Sequence, residues 1–242
     1  MPGLLRALAA FAAFMLAWTP YRALTALAGV EAMRIMDLVF KPGITLLVVL
    51  PLARRWGVPL GRLISRPSSY AVGLALGAAY AVPLSVLGGL SPGPDWLGLA
   101  SAFLVVGPFE ELFDRGLVYP LLRREMGVLS STLVSSALFS LSHVPIDVLV
   151  WGMGPAETAR HLFWVFFSSI SFCLAMESER SLWAPAALHS AVDAPYFLGR
   201  VGWSVQLGLL CNGLCLAAAL ARLKLAGGWG RPWTPGRPSS PE

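Results

Sequence analysis

Apolar residues follow one another along this chain in runs of fifteen or more, separated by short polar segments. A helix needs about 20 apolar residues to cross a bilayer, so the pattern predicts membrane spans rather than a soluble core. The runs fall near residues 4–29, 38–53, 70–88, 96–122, 128–146, 160–176, 182–198 and 201–221. Pro20, Pro42, Pro83 and Pro185 fall within them and predict kinks or partial spans. The expected fold is all-α, a polytopic membrane bundle of about eight transmembrane helices around a buried polar site. Residues 1–96 form its N-terminal helices and 97–222 the core that carries the polar motifs. Residues 223–242 are expected to be a disordered tail, because Gly, Pro and Ser dominate from Gly227 onward.

Composition agrees with this reading. Hydrophobic residues make up 56% of the 242 and charged residues 13%, against about 25% charged in soluble domains. The net charge of +5 comes from sixteen Arg and two Lys. In a soluble protein such a balance could point to nucleic acid, but here the basic residues sit between apolar runs. Arg54, Arg55, Arg62 and Arg66 follow the second run, Arg123 and Arg124 the fourth, and Arg180 the sixth. Arg222, Lys224, Arg231 and Arg237 follow the eighth. The intervening loops hold Asp95, then Asp147, Glu157 and Arg160, then Arg200. Basic charge on alternate loops is the positive-inside bias of an even number of spans, so both termini are expected in the cytoplasm and no nucleic acid is implied. Arg6 before the first run looks like a signal-peptide start, yet no small-residue cleavage site leads into a polar mature sequence. The run is therefore expected to stay in place. Cys173, Cys211 and Cys215 lie in apolar runs without metal or disulfide spacing and read as packing. No internal repeat points to an inverted-repeat transporter.

Ionisable residues inside the runs carry the functional signal. Each costs roughly 2.5–3.5 kcal/mol at the bilayer centre on insertion scales, which a scaffold has no reason to bear. In Glu110-Glu111-Leu112-Phe113-Asp114-Arg115, Glu111 and Arg115 stand at i, i+4 in the order that favours an ion pair. Glu110 lies about 100° away around the helix and is left for chemistry, with Asp114 on its own face. Phe139-Ser140-Leu141-Ser142-His143 and His189-Ser190-Ala191-Val192-Asp193 add two imidazoles and a carboxylate. Brought together, Glu110, His143, His189 and Asp193 can converge on one water or one metal ion. A desolvated carboxylate is an effective proton acceptor, and a histidine can donate to a developing oxyanion. These are the parts for hydrolysing a peptide bond with water and no covalent intermediate. His161, beside Arg160, reads as interfacial and outside the site, and Glu177 and Glu179 beside Arg180 read as a solvated loop.

Glu-Glu-x-x-x-Arg, Phe-x-x-x-His and His-x-x-x-Asn/Asp, in this order in membrane helices, resemble the CAAX protease and bacteriocin-processing family (CPBP, or Abi). The flanking text, Pro108 to Gly116, Ala137 to His143 and Ser181 to His189, fits as well. The resemblance covers roughly residues 97–222 and implies an intramembrane endopeptidase of glutamic or metalloprotease type. It implies that Glu110 and His143 activate the attacking water, and that His189 and Asp193 support the oxyanion or bind a metal. Eukaryotic prenyl-protein proteases have Asn where this chain has Asp193. An ionised Asp cannot donate a hydrogen bond, so Asp193 is expected to be protonated, to orient His189, or to ligate a metal. No cofactor is certain. Zinc held by Glu110, His143, His189 and Asp193 stays open beside a metal-free glutamate mechanism, although HExxH spacing is absent.

The expected partners are the lipid bilayer and a membrane-associated or lipid-anchored protein substrate reached through lipid; the sequence leaves the oligomeric state open. Within the family, substrates span prenylated CAAX proteins, bacteriocin leaders and C-terminal sorting anchors. An Arg- and Ala-rich, Lys-poor chain fits a high-GC bacterium, so a multi-pass protein of a bacterial inner membrane, with a role in anchor processing or sorting, is expected. The alternatives are a noncatalytic scaffold or bacteriocin-immunity protein and a proton-coupled transporter.

Overall fold

A computed structural model describes residues 2–89, 93–199, 204–230 and 233. Arg200, Arg231 and Arg237, and most of the expected tail, lie outside the described residues. Most of the described residues are helical, with no strand among them. Helix α1 is Pro2–Ala28. Helix α2 starts at Val30–Ile44, continues through a π turn at Thr45–Val49, and ends with Leu50–Arg55. Helix α3 is Ser69–Gly88, α4 is Trp96–Arg123, and α5 is Val128–Leu141. Helix α6 is Pro155–Glu179, α7 is Trp183–Leu198, and α8 is Val205–Leu225.

Seven of these are long and apolar enough to cross a membrane. The eighth, α7, has 16 residues, about 24 Å at 1.5 Å per residue, short of a hydrocarbon core of about 30 Å. Its stretch from Ala184 to Ala194 is buried apart from Asp193, so α7 lies inside the bundle. The lipid-facing surface carries Leu16, Leu27 and Leu47, each more than three-quarters exposed. In water such exposure would be an aggregation hazard.

Helix α7 packs closest against α3, where glycine removes the side chain that would keep them apart. A methyl group on Gly73 would run into the carbonyl oxygen of Ala184, and one on Gly77 into Ala191. Gly107 does the same for α4, its face lying against Ser190. The Ser190 hydroxyl is 2.9 Å from the carbonyl oxygens of both Ala102 and Ala186.

The prolines do not all act as the sequence predicts. Pro20, Pro42 and Pro83 lie inside helices, as expected. Pro185 instead occupies the first turn of α7, where its missing N–H costs nothing, and Pro195 is the one within that helix. Pro51, Pro108 and Pro120 each follow a π turn, at Thr45–Val49, Ala102–Val106 and Asp114–Val118. The wider turn relieves the clash between a proline ring and the carbonyl four residues earlier. Two of these turns bracket Glu110 and Glu111 on α4.

Contacts between connections put the basic loops on one face. Arg124 donates to Trp56 O at 2.7 Å and Gly57 O at 2.8 Å. Leu182 N bonds Leu63 O at 2.8 Å, and Arg222 meets Glu179 at 2.6 Å. Gly3 N reaches the Glu125 carboxylate at 2.7 Å on the same face. Glu177 is not solvated: it is buried, with Arg123 Nη2 at 3.0 Å, Arg180 Nη2 at 2.7 Å and the Tyr119 hydroxyl at 3.1 Å. The opposite face joins Asp95 N to Phe197 O at 2.7 Å.

Candidate active site

The site forms where α4, the end of α5 and α7 meet, and α2 completes it. The Glu111–Arg115 pair is present at 3.1 Å, with both side chains fully buried. Arg115 also donates to Ser169 O at 3.2 Å and to the Ser169 hydroxyl, and its guanidinium lies over the Phe139 ring at 4.6 Å. Glu111 does more than hold Arg115, because Oε1 also lies 2.9 Å from His189 Nδ1. A carboxylate in that position fixes both the tautomer and the orientation of an imidazole. Phe172 stacks on the His189 ring at 4.8 Å, and Phe139 meets it edge-on.

His143 is held in the same manner. Its Nδ1 is 2.9 Å from Phe139 O, and a carbonyl can only accept, so Nδ1 carries a proton. Both histidines thus turn Nε2 towards Glu110. Oε2 of Glu110 lies 4.0 Å from His143 Nε2 and 3.9 Å from His189 Nε2. Asp193 Oδ2 is 3.5 Å from His189 Nε2. The structure therefore gathers Glu110, His143, His189 and Asp193 around one cavity, with Glu111 and Arg115 buried behind His189.

Glu110 is nevertheless not free of structural partners. Its Oε1 is 3.4 Å from Lys41 Nζ, and Lys41 is 3.4 Å from Asp37 Oδ2. Asp37 in turn takes Arg22 Nη1 at 3.2 Å and the Tyr21 hydroxyl. Trp18 Nε1 donates to Ser142 O at 3.1 Å, tying α1 to the residue before His143. These N-terminal residues had a signal in the sequence, namely charge inside apolar runs. The three motifs did not include them. His161 was also placed outside the site, yet it lines the cavity, bonds Asp147 at 2.9 Å and lies 5.9 Å from His143, ring to ring. The three histidines of the chain share one cavity of about 770 Å³. Asp114 lines it too, and its Oδ1 has no hydrogen-bond partner.

Residues 92–195 match the family model described as type II CAAX prenyl endopeptidase Rce1-like. This segment is Rce1-like. The Rce1-like segment holds all six candidate site residues, Glu110, Glu111, Arg115, His143, His189 and Asp193. It begins near the expected start at residue 97 and stops within α7, so α1, α2, α3 and α8 fall outside it. Lys41 and Asp37 therefore come from beyond the Rce1-like segment. No curated protein matches the chain.

Proposed function

We propose that this chain is an intramembrane endopeptidase that cleaves a membrane-associated or lipid-anchored protein, using water activated by Glu110 and His143. The observation that carries this reading is Glu110 Oε2 facing His143 Nε2 at 4.0 Å. With Nδ1 of His143 protonated, both atoms are acceptors. Two acceptors at this spacing suit one water donating to each at about 2.8 Å. Glu110 takes a proton as the water oxygen attacks the scissile carbonyl, then passes it to the leaving amine. His189, protonated on both nitrogens with Glu110, Glu111 and Asp193 around its ring, donates from Nε2 to the developing oxyanion. Asp193, 3.5 Å from the same Nε2, supplies a carboxylate that favours the protonated ring rather than an oxyanion donor.

The donor set favours the metal-free version. Ligands of a tetrahedral zinc with bonds of about 2.0–2.1 Å stand roughly 3.3 Å apart, and the donor pairs around Glu110 are wider. Lys41 already places a cation against Glu110. Among the described residues no group of three or more His, Cys, Asp or Glu has metal-holding geometry. Activity is expected to survive chelation; loss on chelation with recovery on added zinc would establish the metalloprotease instead.

The decisive experiment compares the membrane proteome of cells carrying the wild-type chain with cells carrying Glu110→Gln. The variant removes the proton acceptor and should lower turnover by at least about 10²-fold, so an uncleaved precursor accumulates. No precursor, together with no peptide cut by the purified protein, ends the protease reading.

A further inference from the structure

We infer that the catalytic cavity opens away from the cytoplasm, so that the substrate is a protein anchored with its polar part outside and cut in the outer half of the bilayer. This rests on the protease reading above and adds the side from which the substrate comes.

The first observation is where the cavity lies along the helices. Glu110 is near the middle of α4, about 20 Å from either end at 1.5 Å per residue. From there the lining runs in one direction. It takes Phe14 from the middle of α1 and Trp18 and Arg22 from its second half, but Met33 and Asp37 from the first half of α2. It takes Ser142 and His143 from the turn just after α5 and Tyr196 and Phe197 from the end of α7. Trp151, Glu157 and Arg160, all exposed, complete the rim at the α5–α6 connection and the start of α6. Each of these places is on the face where Asp95 meets Phe197.

The second observation is that the other half is filled. Leu117, Tyr119, Leu121, Leu122 and Met176 are fully buried there. Below them Glu177 joins Arg123, Arg180 and Tyr119. None of these residues lines the cavity. A peptide has no route to Glu110 from that side without unpacking the core and breaking a buried ion-pair cluster.

The third observation is charge. The closed face gathers the basic loops after α2, α4, α6 and α8, together with Arg6 at the start of α1. Among the described side chains the rim on the open face has Arg160. Lys and Arg in short loops are retained in the cytoplasm, so the closed face is cytoplasmic and the open one is not. A cytoplasmic prenylated tail would meet the closed face. An exported protein held by a C-terminal helix presents its juxtamembrane segment to the rim.

Two measurements test this. In the first, a membrane-impermeant maleimide is applied to Arg160→Cys and Ser65→Cys, in spheroplasts and in inverted vesicles, with the wild-type chain and its three buried cysteines as background. Arg160→Cys should label in spheroplasts and Ser65→Cys in inverted vesicles; the reverse pattern overturns the inference. In the second, a single-span reporter carries the same span with its soluble domain outside or, inverted, in the cytoplasm. The outward reporter should be shortened by the wild-type chain and left intact by Glu110→Gln, whereas cleavage confined to the cytoplasmic reporter overturns the inference. If neither reporter is cut, the protease reading fails, and the labelling still decides which way the cavity opens.

Discussion

At the residue scale the two adjacent glutamates divide their work differently from the simplest reading of the motif. Glu111 accepts from Arg115 and His189 with one oxygen, so it both neutralises a buried charge and aims an imidazole. Removing its charge leaves Arg115 buried without its ion-pair partner. Glu111→Gln is expected to cost about 3–5 kcal/mol, as for other broken buried pairs, read as a lower unfolding midpoint in detergent. Glu110 has its own cation in Lys41, which holds Oε1 while Oε2 faces the histidines. Lys41→Met should therefore lower kcat by about 10-fold or more with little change in KM, as for an interaction used in the transition state. Lys41→Arg, which keeps the charge, should recover part of the loss; a kcat unchanged in Lys41→Met would show that Glu110 does not depend on this partner. The sequence motifs named Glu110, Glu111, Arg115, His143, His189 and Asp193. Lys41, Asp37 and His161 escaped them because their link to the site depends on which helices become neighbours.

At the element scale, proline and glycine decide how the site is assembled. The π turns before Pro108 and Pro120 change the rotation of α4 on either side of Glu110 and Glu111, and no period-3.6 reading of the sequence reveals them. The close approach of α3 and α7 depends on Gly73 and Gly77, the pattern of small residues at membrane-helix interfaces. Gly73→Leu should force the two helices apart and displace His189, lowering both stability and activity. Gly213 on α8 has open space beside it, so Gly213→Leu should leave both unchanged. Equal melting temperatures for the two variants would remove the tight α3–α7 contact from the explanation. Helix existence was legible from hydropathy and most bounds to within about five residues, but α2 starts at Val30, eight residues before its expected start. The short α7 was legible as an apolar run, but its burial inside the bundle was not.

At the scale of the molecule, the eight long helices among the described residues make a body with one closed and one open half, and the polar site sits where the halves meet. Helices α1 and α2, outside the Rce1-like segment, are part of that body: Phe14 stacks on Phe113 at 4.0 Å and Trp18 on Phe109 at 5.7 Å, on either side of Glu110 along α4. The sequence alone determined that the chain spans a membrane, because apolar length and the cost of unpaired backbone in lipid leave helices as the answer. It also determined which ionisable groups stand inside, since each is costly enough to need a reason. The tertiary structure decided which charges pair, that Glu110 borrows Lys41 from α2, and that the cavity runs from mid-membrane to one face only. Those outcomes depend on contacts between residues up to 124 positions apart in the chain, and a pattern read along one helix carries no information about its neighbours.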